Sequence, residues 1–179
     1  MRKIGVKELL AQYAIGKRDF QAIDISAADL FEAELQGINL TSSCLKEIYL
    51  PYSNLCHSNL QQANLQDAEL TSARLNHVDI SQGNLQGANL LRVELCFANL
   101  QGVNLQEANL QGANLYRANL SYANLSNADL RGAKMEEANL FKAQLNGCNL
   151  FRSKNADLSD AYLDKYTIYP DGYRPSDDN

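Results

Sequence analysis

The chain has 179 residues, of which 45% are apolar and 21% are charged, and its formal net charge is -5. These values suit one soluble domain with an ordinary buried core. Residues 1–18 hold five bases and one acid, whereas residues 19–164 hold nine bases and seventeen acids. Because phosphate contacts need clustered Lys and Arg, this balance predicts no direct binding of nucleic acid.

Residues 4–17 favour a short amphipathic helix. Its apolar stripe is formed by Val6, Leu9, Leu10, Tyr13 and Ala14. No apolar run in residues 1–20 is longer than three residues, so we expect neither a signal peptide nor a transmembrane span. A cytoplasmic location without membrane association is the resulting expectation.

A five-residue repeat covers residues 20–150. Every fifth residue, which we call the centre, is Leu, Ile, Phe or Met at twenty-seven consecutive positions, and twenty-three of these are Leu. Two residues before the centre lies the small position, which is Ala in fifteen repeats, and the residue directly before the centre is Asn in fourteen repeats and Asp in five. A period of five fits neither a helix nor a flat strand, so the chain must turn once in each repeat.

The consensus of these units is A-(D/N)-L-x-x, as in Ala108–Gly112 and Ala113–Arg117. In this consensus the chain resembles the pentapeptide repeat family over about 145 of its 179 residues, in particular the stand-alone members from cyanobacteria. The resemblance implies an all-β solenoid, namely a right-handed quadrilateral parallel β-helix with four pentapeptides per coil. Twenty-seven repeats then correspond to about seven coils.

The residue types fit such a tube. A large centre beside a small residue would fill each layer of the interior densely, and successive coils would pair as parallel strands. Six of the ten glycines fall two residues after a centre. This is the third residue of a four-residue corner, where a type II turn requires a positive φ. The Asn before the centre can bond the backbone of the same corner.

The ends of the tube are expected to be capped, because open coils would recruit other chains. We predict an N-terminal capping helix in 1–18, the β-helix in 19–164, and a C-terminal cap with a disordered tail in 165–179, where Pro175–Asn179 would form the tail. After Leu150 the next centres are Leu158 and Leu163, so the period slips there. Apolar residues beyond this break could fold over the last coil or mediate an end-to-end homodimer, and they are Tyr166, Ile168, Tyr169 and Tyr173. The protein is therefore expected to be a monomer or an end-to-end homodimer.

Ser43–Tyr52 departs from the consensus, since Cys44, Tyr49 and Pro51 fall within it. We expect this stretch to bulge from one side of the tube, either as a recognition feature or as a tolerated irregularity.

Four cysteines occupy different places in the repeat. Cys56 and Cys96 would share one side two coils apart, which is about 10 Å at about 4.8 Å per coil and beyond the reach of a disulfide. Free thiols in a reducing compartment are the interpretation that we prefer.

The usual motifs of nucleotide, metal and redox chemistry are absent from the sequence, and only two histidines occur. We therefore predict no enzyme, no cofactor and no metal. His57 and His77 lie twenty residues apart and would stack beside Cys56, so a metal site of these three is conceivable. Structural zinc normally has four ligands, which favours two exposed imidazoles instead.

Outward positions are mostly Gln, Ser, Gly and Glu, but one pair of adjoining sides departs from this pattern. The candidate protein-binding residues on these sides are Leu91, Arg92, Phe97, Tyr116 and Arg117. Aromatic and Arg side chains dominate interface energy, although scattered surface apolar residues are also normal. The leading hypothesis is a non-enzymatic interaction protein that presents a rigid β-helical surface to a protein partner of unknown identity.

The family resemblance implies an alternative. Some pentapeptide repeat proteins resemble a DNA duplex and bind a topoisomerase, DNA gyrase, as inhibitors or protectors. That role needs carboxylates spaced like phosphates along one side. The longest acidic ladder here consists of Glu47, Asp67 and Glu107, and Gly87 interrupts it.

Overall fold

The structure, a computed structural model, describes residues 1–174. Parallel β-bridges join residues twenty apart, from Asp19 paired with Asn39 to Lys134 paired with Lys154. Each bridge involves the residue directly before a centre, so every pentapeptide pairs with the pentapeptides twenty residues before and after it. Four consecutive pentapeptides therefore complete one coil of a parallel β-helix.

The backbone of one side shows how the coils are joined. The Leu55 N–H donates to the Arg74 carbonyl and the Arg74 N–H donates to the Ser53 carbonyl, both at 2.8 Å. The Ser58 N–H then donates to the Leu55 carbonyl at 3.2 Å and closes a four-residue turn. His57, the third residue of this turn, has a φ of 59°. The chain thus turns a corner after every centre.

The prediction of positive φ at this third turn position is confirmed. The six glycines there have φ between 64° and 71°. Other residue types at the same position have φ between 53° and 61°, in the left-handed region that L-residues enter only at a cost. The bonding pattern of the coil therefore imposes this conformation whether or not the residue is glycine.

The Asn residues before the centres stabilise the turn, as predicted, and they also join successive coils. Asn109 Oδ1 accepts the Gln111 N–H at 3.1 Å, and Asn109 Nδ2 donates to Asn89 Oδ1, one coil earlier, at 3.0 Å. The first bond orients the corner, and the second continues as a ladder along the tube.

The core is a column of aliphatic layers. Every centre from Phe20 to Leu150 is at most 3% exposed. Serine at the small position is also satisfied inside the tube, since Ser58 Oγ donates to the carbonyl of Leu35, one coil earlier. Within residues 1–174, Ser153 Oγ is the single buried side-chain polar atom without a hydrogen-bond partner. It precedes Asn155, which stands where the next aliphatic centre would be.

Two short elements close the N-terminal end. Strand β1 (Arg2–Lys3) pairs in parallel with strand β2 (Ile23–Asp24), and helix α1 (Val6–Ala14) lies between them in the chain. Strand β1 was not predicted, because a two-residue strand carries no periodicity. Of the helices described in residues 1–174, none has the length and apolar character that a membrane crossing requires.

Helix α1 contacts the first coil along a narrower stripe than predicted. Leu9 is fully buried, and Tyr13 donates from its hydroxyl to the Gln36 carbonyl at 2.8 Å. Leu10 is 37% exposed and Ala14 is also exposed, so both were wrongly assigned to the packed stripe. Only one row of the helix, at Leu9 and Tyr13, therefore packs against the first coil.

At the C-terminal end the paired residues are fewer than twenty positions apart in the sequence. Gln144 pairs with Tyr162, and Asn149 pairs with Ile168. Thr167 is fully buried there, and its hydroxyl donates to the Leu145 carbonyl at 2.9 Å. Ile168 and Tyr169 are half-buried.

Of the two alternatives for the C-terminal aromatics, folding over the last coil does not hold for Tyr166 and Tyr173, since they are 66% and 56% exposed. The alternative that they mediate an end-to-end homodimer stays a prediction. Thr167, rather than a tyrosine, occupies the inward position. The predicted disorder of Pro175–Asn179 lies outside the described residues.

The predicted bulge of Ser43–Tyr52 is also wrong. Cys44 pairs with Asn64 and Tyr49 pairs with Glu69 in the regular twenty-residue register. Pro51 occupies the second residue of its turn, where its fixed φ is favoured, so the proline supports the corner instead of disturbing it.

Candidate protein-binding faces

Each side of the tube presents three outward residues per coil, namely the residue before the centre and the two after it. Because one coil takes twenty residues, equivalent outward residues form straight columns along the tube. We name two adjoining sides. The histidine face consists of the two residues after the centre on one side, namely 56–57, 76–77, 96–97, 116–117 and 136–137. The arginine face is the side before it in the coil. It consists of 29 and every twentieth residue from there to 149, together with 31–32 and every twentieth pair from there to 151–152.

Planar side chains are stacked along the histidine face. The rings of His57 and His77 have centroids 4.7 Å apart and are parallel within 5°, and those of His77 and Phe97 are 4.9 Å apart and parallel within 2°. These distances match the spacing of neighbouring strands, about 4.8 Å, so each ring lies on the ring of the previous coil. The guanidinium of Arg117 continues the column, 5.9 Å from the Phe97 centroid.

The structure brings three of the five predicted site residues together. Phe97 and Tyr116 form an edge-to-face pair with centroids 5.5 Å apart, and the Arg117 guanidinium lies 5.1 Å from the Tyr116 centroid. Leu91 and Arg92 lie on the adjoining arginine face. Within residues 1–174, no hydrogen bond, ion pair or ring contact joins those two to the other three.

The far end of the column is an ion pair. Arg117 Nε donates to Glu137 Oε2 at 2.6 Å. This hydrogen bond lowers the pKa of the Glu137 carboxyl and raises the pKa of Arg117, so both groups stay charged at neutral pH. The pair is exposed and screened by salt, and it therefore orients the guanidinium more than it stabilises the fold.

His57 and His77 were missed as part of a binding column, because the sequence analysis weighed them only as metal ligands. The twenty-residue spacing that predicted their stacking continues to Phe97 and Arg117, and extending it would have revealed the column. In the part of the chain that the structure describes, no three His, Cys, Asp or Glu side chains are placed to hold a metal ion.

The arginine face carries a second aromatic cluster, which the sequence analysis also missed. Phe31 stacks with Tyr49 at 6.3 Å and meets Tyr52 edge-on at 5.9 Å. These rings are 48%, 44% and 56% exposed. Towards the C-terminal end of the same face lies a shallow cavity of about 310 Å³, lined by Gln111, Arg131, Gly132, Phe151 and Arg152.

All four cysteines are free thiols. Cys148 occupies a small inward position and is fully buried, and its Sγ donates to the Leu125 carbonyl at 2.7 Å. Burial raises the pKa of the Cys148 thiol to about 12. Burial also raises the pKa of Cys96, which is half-buried beside Glu94.

Cys148 should make the stability of the protein sensitive to alkaline pH. Its thiol ionises near pH 9 when unfolded but near pH 12 when folded, so the free energy of unfolding should fall as pH rises between these values. The expected loss is about 1.4 kcal/mol by pH 10. Urea unfolding at pH 8 and pH 10 should show this loss for the native chain and lack it for Cys148→Ala. Equal pH dependence of the two chains would contradict the assignment.

The fold and its surface define a repeat solenoid, a parallel β-helix whose aromatic and charged side chains form outward columns. The model of the family described as pentapeptide repeats matches with 8 copies over residues 50–87, 73–112 and 113–152. The chain therefore belongs to the pentapeptide repeat family, as predicted, and its fold is the right-handed β-helix of that family.

Several solved structures are similar to this chain. HetL, a pentapeptide repeat protein involved in heterocyst differentiation regulation from the cyanobacterium Nostoc sp. strain PCC 7120, is 30% identical; the match covers 96% of this chain and 100% of HetL, with a TM-score of 0.44. A trypsin-treated form of QnrB1, a plasmid-mediated fluoroquinolone resistance protein, is 19% identical over 83% of this chain and 80% of QnrB1, with a TM-score of 0.51.

Rfr23, a pentapeptide repeat protein from the cyanobacterium Cyanothece 51142, is 24% identical over 89% of this chain and 96% of Rfr23, with a TM-score of 0.29. A comparison with curated proteins gives no match.

Proposed function

We propose that this protein is a non-enzymatic interaction protein that presents the histidine face to a protein partner. The observation that carries the proposal is the continuous column of His57, His77, Phe97 and Arg117. Tyr116 packs against Phe97 in this column. Pentapeptide repeat proteins are generally structural or interaction proteins, which agrees with this role.

The column is suited to binding because it is already ordered. Each ring is held by its neighbour at van der Waals distance, and the Arg117 guanidinium is held by Glu137. These side chains would therefore lose little conformational entropy when a partner binds. Phe97 is 44% exposed, so a large part of its ring is available for contact. Aromatic residues and Arg are also the types that contribute most at protein interfaces.

The predicted patch extends this surface around one edge of the tube. Leu91 and Arg92 are presented one side earlier in the coil than Phe97. A partner that binds the column and reaches over this edge would contact all five predicted residues.

We also propose the number of coils and the caps at the two ends of the tube. About seven coils, with α1 and β1 as the N-terminal cap over 1–18 and a C-terminal cap that begins at 165, would form a rod with one rigid histidine face. The buried Leu9 and Thr167 at the two ends support this organisation. A cytoplasmic location is likewise proposed, because four free thiols suit a reducing compartment.

The gyrase-binding alternative is not favoured. The column that contains Glu47, Asp67 and Glu107 has Gly87 in place of a fourth carboxylate. The likeness to QnrB1, at 19% identity, concerns the fold alone. Clear inhibition of gyrase in a supercoiling assay would reverse this preference.

The proposal is tested by partner capture from an extract of the native host. A Phe97→Ala/Tyr116→Ala variant should lose at least one partner that the native protein retains, because it removes the edge-to-face pair at the column. The matched control is Tyr122→Ala/Phe141→Ala, which removes a similar exposed pair, 5.6 Å apart, beside Lys142 on another side. If the Phe97 variant and the control capture the same partners as the native chain, the histidine face is not the binding surface.

A further inference from the structure

The charges of the arginine face are divided between its two halves. The half from 29 to 72 has three acids and no base, and the half from 89 to 152 has three bases and one acid. The acids of the first half are Asp29, Glu32 and Glu69. The bases of the second half are Arg92, Arg131 and Arg152. Within residues 1–174, Glu32, Arg92 and Arg152 have no ion-pair partner.

The shapes of the two halves also differ. The first half projects the exposed rings of Phe31, Tyr49 and Tyr52. In the second half, Gly112 and Gly132 occupy consecutive coils of one column, so no side chain projects there. The cavity of about 310 Å³ lies at this gap. The first half therefore carries three projecting rings, and the second carries one, Phe151, beside a recess.

We propose that a second copy of this chain covers the arginine face, with the two rods antiparallel about a two-fold axis that crosses the face at Leu91. This axis lies in the plane of the interface and runs perpendicular to the rods. It places each column of one copy opposite the same column of the other copy, with the coils in reverse order. Glu32 lies three coils before Arg92, and Arg152 lies three coils after it. Glu32 of one copy therefore faces Arg152 of the other, at both ends of the interface.

The same operation determines the remaining pairings, in which Phe31 faces Phe151, Asp29 faces Asn149 and Glu69 faces Asn109. Tyr52 of one copy faces the recess at Gly132 of the other, where the neighbouring Arg131 provides a cation beside the ring. Tyr49 faces Asp129, which can accept a hydrogen bond from the phenol hydroxyl. Leu91 faces its own copy on the axis. The Tyr52 pairing thus opposes a projection to a recess, and the Glu32–Arg152 pairing opposes a negative to a positive charge.

One like-charge contact remains, because the two Arg92 side chains meet near the axis. Ser72 and the bare Gly112 lie one coil to either side of Arg92, so each guanidinium has room to turn away. This contact weakens the association without changing its register, which the two Glu32–Arg152 pairs at the ends determine.

A second copy fits this face better than other occupants. A basic partner would complement only the first half, and an acidic partner only the second. The two halves lie at equal distances from Leu91, which is what a self-complementary interface about a two-fold axis requires. The face is about 29 Å long between the turns of Glu32 and Arg152, at about 4.8 Å per coil. The column on the histidine face stays exposed in this dimer, so the inference does not depend on the proposed function. Leu91 and Arg92 are covered in the dimer, so a partner of the dimer would contact only Phe97, Tyr116 and Arg117 of the five predicted residues.

Sedimentation equilibrium of the whole chain, at concentrations from about 1 μM to 1 mM, tests the proposal through a charge exchange. The native protein should form dimers. Glu32→Arg and Arg152→Glu should each raise the dissociation constant at least about tenfold, because each variant creates two like-charge pairs per dimer. An equimolar mixture of the two variants should dimerise like the native protein, since the mixed dimer restores both pairs. A monomeric native chain, or a mixture that stays as weak as the separate variants, would overturn the proposal.

Two further variants test the position of the axis. Arg92→Ser should lower the dissociation constant, because it removes the like-charge contact. Leu91→Cys should be cross-linked to its own copy by a thiol-reactive linker about 10 Å long, since packed sheets lie about 10 Å apart and this residue meets its own copy, and the native chain with its four thiols is the control. A dimer in which Leu91→Cys does not cross-link, or which Arg92→Ser weakens, would show that the copies associate elsewhere, for example end to end.

Discussion

Replacing Leu105 with Asp is expected to lower the free energy of unfolding by about 5 kcal/mol or more. Leu105 is fully buried, and its neighbours in the adjacent coils, Leu85 and Leu125, are at most 1% exposed. The backbone groups around this position already bond to each other, as in the Leu105 N–H that donates to Asn124 at 2.7 Å. A carboxylate there would find neither water nor a donor.

Two matched variants separate the buried charge from other effects. Leu105→Ala, which leaves a cavity without a charge, should cost about 3 kcal/mol. Gln101→Asp places the same carboxylate on an exposed turn of the same coil and should change stability by less than about 0.5 kcal/mol. Thermal melting followed by circular dichroism measures all three. A melting temperature of Leu105→Asp close to that of Gln101→Asp would show that the centre does not face inward.

Deletion of one whole coil should be far less damaging than deletion of one residue. Removing 101–120 joins Leu100 to Ser121, so centres, small positions and columns all stay in register. The shortened chain should unfold cooperatively with a modestly lower melting temperature, because each coil contacts only its neighbours. Removing Gln111 alone moves every later centre by one position and should cost at least about 3 kcal/mol, comparable to the loss of a buried Leu. A single-residue deletion more stable than the coil deletion would contradict this view of the core.

A five-residue deletion, 111–115, completes this series. It keeps the inward pattern but moves every later turn back by one side of the tube, so Arg117 takes the place of Gly112 and no longer follows Phe97 in one column. This variant should fold and keep the His57–His77–Phe97 stack, yet lose the Tyr116 and Arg117 part of the histidine face. Melting temperature and partner capture together would then separate the role of the repeat from the role of the face.

The inward and outward assignments could be predicted residue by residue. Each centre from Phe20 to Leu150 is buried as expected, and the glycines two residues after a centre have positive φ. The wrong predictions concern the segments beyond the ends of the repeat and a residue type, proline, that the turn of the repeat accommodates. Leu10 and Tyr166 belong to terminal segments whose packing depends on the shape of the tube end. Pro51 was taken as a disturbance, although its φ suits the turn.

The candidate site was predicted in part. Counting in steps of twenty residues brought Phe97 and Arg117 into one region, and the structure shows them in one column. The same counting could not separate Arg92 from them, because the pattern does not say which side chains touch across an edge. The aromatic cluster around Phe31 was missed because its members occupy different columns, before and after the centre.

The sequence by itself determined the family, the parallel stacking of pentapeptides and the identity of the core. It could do so because the five-residue period shows that the chain turns once in each repeat, and because the A-(D/N)-L-x-x consensus resembles the pentapeptide repeat family, which implies the four-sided coil. Only the tertiary structure decided which outward side chains are in contact and which residues of the terminal segments pack against the first and last coils. These features depend on side-chain directions and on pairs of residues twenty or more positions apart, which local periodicity does not specify.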